Sequence, residues 1–282
     1  MSGASPNRGS RCGRIVSYAI LIGATLVALF PLFWTVSTSV KRRVDSYANP
    51  PKFVRFEPTA KNYRTLFETP EFGHIYRNTI MITLVSTALS VLIGTLAAYA
   101  LARHRRFPGR RPFEAMLVLV RAMPGIVLMI PIYQIVTRLG LYDNRFALIV
   151  IYASLNLPFA VWLMTGFIDQ IPVEIEESAR TDGASGTKVF LHIIAPLAMP
   201  GVVATSIFVA LLAWNEFLIP VLLSGEDSKT LPVYISGFIS ARTLDWGPMA
   251  AASALAIIPI AVFTALIQRR LVGGLSSGAV KE

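Results

Sequence analysis

Charged residues are scarce in this sequence. Asp, Glu, Lys and Arg make up 15% of the 282 residues, whereas 54% are hydrophobic. Because a soluble globular domain carries roughly 25% charged residues, this deficit excludes an ordinary soluble protein. The formal net charge is +10, but no basic domain with interleaved aromatic residues is left over to bind nucleic acid. The basic excess is instead typical of loops that meet anionic lipid.

Cysteine, histidine and nucleotide-binding motifs are also lacking. A single cysteine, Cys12, excludes an intrachain disulfide. His74, His104 and His192 lie far apart without metal-ligand spacing, so we predict no metal site. No G-x-x-x-x-G-K-S/T loop is present, so no nucleotide is expected on this chain. No nucleophile, base or metal ligands cluster at one depth, which argues against a membrane-embedded enzyme.

Long stretches without charge are what the sequence has instead. A helix needs about 20 apolar residues to cross a bilayer, and the first stretch is too long for the apolar part of a signal peptide. We predict an all-α integral membrane protein whose membrane domain covers 15–271, between cytoplasmic tails 1–14 and 272–282. About six transmembrane helices are expected, at 15–38, 79–101, 114–136, 147–168, 201–223 and 249–269.

The apolar segments carry signs of close helix packing. Ser86, Ser90, Gly94 and Ala98 recur every four residues in the second span, which predicts a small-residue stripe against which another helix packs. Five spans contain proline, which a bundle in lipid tolerates because neighbouring helices satisfy the freed carbonyls. Lysine and arginine divide almost evenly between the two sides, so the positive-inside rule favours a cytoplasmic N-terminus only moderately.

The connection 169–200 is polar and has helix-boundary signals. A proline and several glutamates suit the first turn of a helix. Gly183 is where this helix would stop, in a left-handed conformation, and Ser185 or Thr187 would cap a second helix that Pro196 then disturbs. We therefore predict a helix, a glycine corner and another helix, all outside the bilayer.

This loop resembles the EAA loop of binding-protein-dependent ABC import permeases. Glu177-Ser178-Ala179 is followed by Gly183 six positions after the glutamate, and then by Ile193 and Pro196. Ser178 stands where the family has alanine, and Ala195 where it has leucine, and both departures are mild. Other segments resemble the carbohydrate, maltose MalG-like branch of that family: 98–103, 157–160, 213–217, 245–247 and 268–281.

The resemblance implies a type I ABC importer permease bundle in the bacterial plasma membrane, with both termini cytoplasmic. The implied partners are ABC ATPase subunits, a second homologous permease, membrane lipid and an extracytoplasmic solute-binding protein facing segment 41–77. ATP and Mg bind the partner ATPase, so this chain carries no cofactor. The EAA loop sits in a cleft of the ATPase and moves as a rigid lever. Its implied coupling residues are Glu177 as polar anchor, Gly183 as corner, and Ser178, Ala179, Asp182, Ala184, Ile193 and Pro196.

Several polar side chains fall within the predicted spans. Charged groups at membrane depth are costly and commonly face a cavity or a partner, and sugars need hydrogen-bonding groups and aromatic faces. Structural pairing between helices is an equally good interpretation. The candidate substrate-pathway residues are Arg121, Asn156, Trp214, Asn215 and Glu216.

These features predict a transmembrane permease subunit of an ATP-driven importer, which translocates a sugar or sugar-like solute by alternating access. The alternative is a permease for an amino acid, polyamine or oxyanion, which the segment Asp245-Trp246-Gly247 argues against by its resemblance to the carbohydrate branch. A channel or receptor is less favoured, because it would not need an exposed EAA-type loop.

Overall fold

A computed structural model of the chain describes residues 11–104, 109–239 and 244–276. The outer parts of both predicted tails lie outside these ranges. The helices are α1 (Arg11–Ser39), α2 (Arg43–Ser46), α3 (Lys61–Glu68), α4 (Pro70–Arg103), α5 (Arg110–Ala122), α6 (Gly125–Arg138), α7 (Arg145–Ile168), α8 (Val173–Thr181), α9 (Gly186–Val189), α10 (Ala195–Trp214), α11 (Leu218–Leu223), α12 (Leu231–Ser236) and α13 (Trp246–Ser276). Phe190–Ile194, between α9 and α10, forms a π-helix.

The described helices confirm the predicted class of an all-α membrane protein with about six spans. Five are long and apolar enough to cross a bilayer, and α5 with α6 adds a sixth if the bent pair is one span. The five are Ile15–Ser39, Pro70–Arg103, Arg145–Ile168, Gly186–Trp214 and Trp246–Ala265.

The chain divides into two compact units. The first takes in the chain up to Glu68 together with Phe238–Leu255, and the second takes in Thr69–Gly237 and the chain from Ala256. In the first unit the Nζ of Lys41 lies 4.0 Å from the centre of the Trp34 ring, and burial holds the pKa of Lys41 below its usual value. Asn62 donates to the carbonyl of Lys41 at 2.9 Å, which fixes the segment that follows α1.

The core of the second unit is built by α4, α7 and α10, and α4 packs on α7 through the predicted small-residue stripe. Ser90 of α4 donates to the carbonyl of Ala153 of α7 at 3.0 Å. A Cβ added to Gly94 would lie 2.8 Å from the Cβ of Ala160, so only glycine allows this approach. The predicted stripe is therefore confirmed, and it joins these two helices into one packed pair.

The third predicted span, 114–136, is not one helix. α5 and α6 meet at a bend of 96°, where Met123 is extended with ψ 130°. The cause is Pro124, which lacks an N–H and disfavours helical conformation in the residue before it. The prediction of a continuous helix was wrong because the proline at this position breaks the helix instead of merely kinking it.

The fifth predicted span, 201–223, is also interrupted. α10 ends at Trp214 and α11 begins at Leu218. In a continuous helix the ring of Pro220 would clash with the carbonyl of Glu216, four residues earlier. The chain instead starts a new helix, and the carboxylate of Glu216 accepts from the N–H of Ile219 at 3.2 Å.

The second helix of the predicted loop 169–200 is continuous with the fifth span. From Gly186 the chain runs as one apolar helix to Trp214, so the expectation of a separate second helix was wrong. The π-helix at Phe190–Ile194 comes directly before Pro196. Proline has no N–H to donate to the carbonyl four residues earlier. The wider turn of a π-helix pairs residues five apart instead, which lets Pro196 lie within the helix.

Asp143, a half-buried residue between α6 and α7, fixes the loop between α11 and α12. The carboxylate of Asp143 accepts from the N–H groups of Gly225 at 2.8 Å, Asp227 at 3.0 Å and Ser228 at 2.8 Å. Burial alone would raise the pKa of Asp143, but these hydrogen bonds favour the carboxylate and hold its pKa below the usual value. Asn78 of α4 donates to the carbonyl of Asp227 at 2.8 Å, so one end of α4 is joined to the loop between α11 and α12.

Candidate functional site

Helix α8 is a short polar helix whose C-terminal end is closed by the predicted glycine corner. Gly183 has φ +86°, the left-handed conformation that a side chain disfavours. The N–H of Ala184 donates to the carbonyl of Ala179 at 3.0 Å, and the N–H of Gly183 to that of Arg180 at 3.0 Å. This pair of bonds is a Schellman motif. Ser185 then caps the next helix by accepting from Lys188 N–H at 3.5 Å.

One face of α8 is locked to the ends of α4 and α7. The carboxylate of Glu176 forms an ion pair with the guanidinium of Arg103, and the two side chains are only 3% and 7% exposed. The hydroxyl of Tyr99 donates to the same carboxylate at 2.8 Å. Arg103 also donates to the carbonyls of Ile168 at 3.3 Å and Ile171 at 3.0 Å. A buried ion pair needs such additional bonds to offset its desolvation, and here they are present.

The predicted coupling residues begin on α8 and continue into the segment that follows it. The side chain of Glu177 is exposed, and the rest of the predicted set follows it along α8, the corner and the next helix. Ser178, Asp182, Gly183 and Pro196 are exposed, whereas Ala179, Ala184 and Ile193 are half-buried. The structure thus places this set along one segment, with its polar members open to a partner.

The sequence analysis did not predict the buried ion pair between Arg103 and Glu176. Glu174, Glu176 and Glu177 are close neighbours in sequence, and nothing in their spacing marks one of them as buried. Arg103 was noted only as the last residue of segment 98–103, which resembles the carbohydrate branch. The pairing is a tertiary contact between residues 73 positions apart, so no local pattern could have found it.

Three of the five candidate pathway residues meet in one cavity. Arg121, Asn156 and Glu216 line a space of about 290 Å³ that lies where α5, α6, α7 and α11 come together. Asn156 donates to the carbonyl of Tyr152 at 2.9 Å, and Tyr152 lines the same cavity. The bend between α5 and α6 also opens on it, through Gly125.

The other two candidates lie elsewhere. Trp214 is 3% exposed and packs edge-on against Tyr76, with 6.1 Å between the ring centres. Asn215 is exposed and donates to the carbonyl of Leu211 at 2.8 Å. These contacts indicate that Trp214 stabilises the packing of α4 and α10, and that Asn215 ends α10.

A second cavity adjoins the first at Arg121. It measures about 780 Å³ and is lined by residues of α4, α5 and α7, among them Leu101, Glu114 and Asp169. Arg121 is common to the linings of both cavities. Its guanidinium stacks on Phe159, 4.2 Å from the ring centre, which is an energetically favourable cation–π arrangement.

Residues 90–277 match the family described as binding-protein-dependent transport system inner membrane component. The chain belongs to this family. It is therefore a multi-pass permease subunit of a membrane transport system and not an enzyme, and the resemblance noted in the sequence is confirmed.

Two relatives and one solved structure cover nearly the whole chain. The trehalose transport system permease protein SugB of Mycobacterium tuberculosis is 37% identical, over 90% of this chain and 93% of its own length. The trehalose/maltose transport system permease protein MalG of Thermococcus litoralis is 32% identical, over 93% and 96%. A chain in the crystal structure of a bacterial ABC transporter that imports the acidic polysaccharide alginate is 25% identical, with a TM-score of 0.76 over 95% of this chain and 99% of that chain.

Proposed function

We propose that this permease imports a sugar across the bacterial plasma membrane, driven by ATP hydrolysis on separate ABC ATPase subunits. It works with a second homologous permease and an extracytoplasmic sugar-binding protein, and both of its termini lie in the cytoplasm. The sugar class rests on the relatives, which are permeases for trehalose and maltose, and on the fold shared with a polysaccharide importer. The non-sugar, channel and receptor alternatives are not favoured.

The observation that carries the proposal is the two-faced geometry of α8. Its buried face is tied to α4 and α7 through Glu176 and Arg103, while Glu177 is exposed beside it. A helix held in this way moves together with the helices to which it is tied. When two ATPases close on ATP and displace α8, the ends of α4 and α7 are displaced with it, and the bundle reopens toward the other side of the membrane.

Some coupling residues contact the ATPase, and others set the shape of the segment. Glu177 is the polar anchor for the ATPase, and Asp182 is a second exposed carboxylate on the same segment. Ser178, Ala179 and Ala184 are small enough to let the ATPase cleft approach the backbone closely. Gly183 sets the turn that separates α8 from the helix leading into the membrane, and Ile193 and Pro196 belong to that next helix.

Co-purification tests the proposal. We expect the tagged chain, extracted from native membranes in mild detergent, to bring with it an ABC ATPase, a second permease and a solute-binding protein. Glu177→Lys should release the ATPase, because it reverses the charge of the anchor. Glu226→Lys is the matched control: Glu226 is an exposed carboxylate in the loop near Asp143, at the opposite end of the bundle, and the ATPase should be retained.

Two results would refute the proposal. If the wild-type chain purifies without any nucleotide-binding partner, the importer assignment fails. If Glu177→Lys and Glu226→Lys retain the ATPase equally, the anchor is not Glu177 and the role of α8 must be revised. The ligand carried by the co-purified binding protein identifies the sugar.

A further inference from the structure

A basic pocket lies where two membrane-spanning helices reach the surface of the bilayer. It measures about 470 Å³, and all of its lining residues belong to the first compact unit. The segment after α1 contributes Arg42 and Arg43, and the first turn of α13 contributes Gly247. The candidate spans of these two helices end at Ser39 and begin at Trp246. The pocket therefore lies at the depth of the lipid headgroups, which flank the hydrocarbon core.

Cations outnumber carboxylates in this pocket. Arg42, Arg43 and Lys61 line it, together with Asp245, whose carboxylate lies 3.7 Å from Nε of Arg43 and offsets one of the three charges. Arg42 forms an ion pair with Glu57, but both side chains are more than half exposed, and such surface pairs contribute little. Among the described residues, the ammonium of Lys61 has no ion-pair partner. The pocket is thus left with a net positive charge.

Two helix N-termini meet at the same pocket. Lys61 and Asn62 are the first residues of α3, and Gly247 is the second residue of α13. A Cβ added to Gly247 would lie 2.5 Å from Oδ1 of Asn62, so glycine allows the two helix ends to lie together. Neither helix has an acidic residue in its first turn. The positive ends of both helices therefore add to the attraction that the basic side chains exert on an anion.

Apolar side chains are exposed beside these cations. Val44 lines the pocket and is 76% exposed, and Trp246, next to Gly247, is 38% exposed. Basic residues next to exposed apolar and aromatic side chains are typical of the membrane interface, where tryptophan lies at headgroup level. A water-soluble ligand would leave these apolar surfaces in water, whereas a lipid covers them with its hydrocarbon. The surroundings of the pocket therefore favour a lipid.

We propose that this pocket binds the phosphodiester headgroup of an anionic phospholipid, with Arg42, Arg43 and Lys61 as its cationic ligands. An arginine guanidinium contacts two phosphate oxygens at once. A zwitterionic lipid is disfavoured, because its ammonium group is repelled by the net positive charge. With the N-terminus in the cytoplasm, as proposed above, the lipid belongs to the outer leaflet. The site is independent of the solute and goes beyond the proposed function.

The test uses the full chain purified in mild detergent. It is titrated with phosphatidylglycerol, with phosphatidylcholine and, separately, with inorganic phosphate. Bound lipid is counted by native mass spectrometry, and the unfolding temperature is measured on the same samples. The variants are Lys61→Gln and Lys61→Glu. Arg64→Gln and Arg64→Glu are the matched controls, because Arg64 is exposed on the same helix but does not line the pocket. The affinity of the assembled importer for its solute-binding protein is measured with the same variants.

We expect wild type to bind phosphatidylglycerol more tightly than phosphatidylcholine, and to unfold at a higher temperature when it is bound. Lys61→Gln should weaken the binding of phosphatidylglycerol about fivefold, the contribution of one cation near an anionic lipid surface, and Lys61→Glu should weaken it further. Without lipid the unfolding temperature should stay unchanged, since the ammonium of Lys61 has no described ion-pair partner to lose. The Arg64 variants should bind lipid as wild type does.

Four results would overturn the inference. Equal binding of the two lipids by wild type would contradict the ligand class. Equal losses for the Lys61 and Arg64 variants would make the attraction one of overall charge, without a site. Stabilisation by inorganic phosphate to the same extent as by phosphatidylglycerol would indicate an anion site that needs no lipid. Weaker binding of the solute-binding protein to Lys61→Glu, with lipid binding unchanged, would assign the pocket to that protein.

Discussion

Removing the charge of Glu176 should destabilise this protein more than any other change on α8. Glu176→Gln keeps the size of the side chain and leaves the guanidinium of Arg103, 7% exposed, without its counter-charge. Removing one partner of a buried ion pair lowers the free energy of unfolding by about 3–5 kcal/mol. We expect the lower end, because Arg103 keeps its bonds to the carbonyls of Ile168 and Ile171.

The adjacent glutamate provides the control. Glu177 is exposed, so Glu177→Gln should change the free energy of unfolding by no more than about 0.5 kcal/mol. Both variants are to be unfolded in mixed detergent micelles and followed by tryptophan fluorescence. Removing both charges, with Arg103→Met and Glu176→Gln together, should cost less than the sum of the two single changes.

The reasoning fails if Glu176→Gln unfolds with the same free energy as Glu177→Gln. It also fails if the two single changes at Arg103 and Glu176 simply add, because residues joined in one ion pair must be coupled. A functional measurement separates the two glutamates further. Glu177→Lys should lose the ATPase while the permease stays folded, whereas Glu176→Gln should lose stability first.

Three further predictions concern Gly94, Gly183 and Asp143. Gly94→Ala should lower the free energy of unfolding by about 1–3 kcal/mol, because its Cβ would lie 2.8 Å from that of Ala160. The control is Gly73→Ala on the same helix, whose Cβ meets nothing within 4 Å and which should be neutral or stabilising by up to about 1 kcal/mol. Equal unfolding temperatures for the two variants would contradict this prediction. Gly183→Ala should cost about 1 kcal/mol through the strain of φ +86°, seen as a lower unfolding temperature without loss of ATPase binding. The pKa of Asp143 is lowered in the folded state, which stabilises the fold at pH values above the ordinary carboxyl pKa of about 3.9. This stabilisation is lost as the pH falls through the lower, folded-state pKa. The free energy of unfolding, measured between pH 7 and pH 3, should therefore fall less in Asp143→Ala than in wild type.

The sequence predicted the spans well where apolar length decided them, and the small-residue stripe on α4 well because its four-residue spacing is local. Helix ends were harder. The helical segment beginning at Pro70 starts before the apolar stretch does, since a helix can extend past the bilayer without any change in hydropathy. The breaks at Pro124 and before Pro220 were missed, because many prolines in membrane helices leave the helix intact and the sequence does not say which will break it.

The sequence predicted the two candidate sites to different extents. The coupling segment was recognisable because its glycine corner and glutamate have fixed spacing. The membrane cavity was predicted only in part: Arg121, Asn156 and Glu216 were identified as polar residues at depth, whereas Tyr152 resembles any core tyrosine in sequence. The cavity that Tyr152 lines forms only where α5, α6, α7 and α11 come together, and such a tertiary arrangement leaves no local pattern in the sequence.

Helix α4 is attached at two places far apart. Arg103 is held by Glu176 at one end. Near the other end, Asn78 donates to the carbonyl of Asp227 at 2.8 Å, and Thr79 accepts from the N–H of Leu231 at 2.8 Å. These attachments are about 38 Å apart along the helix axis. A tilt of about 10° around the Arg103 end would move the segment 227–231 sideways by about 7 Å, so a small rotation at one end of α4 would be amplified into a large displacement at the other.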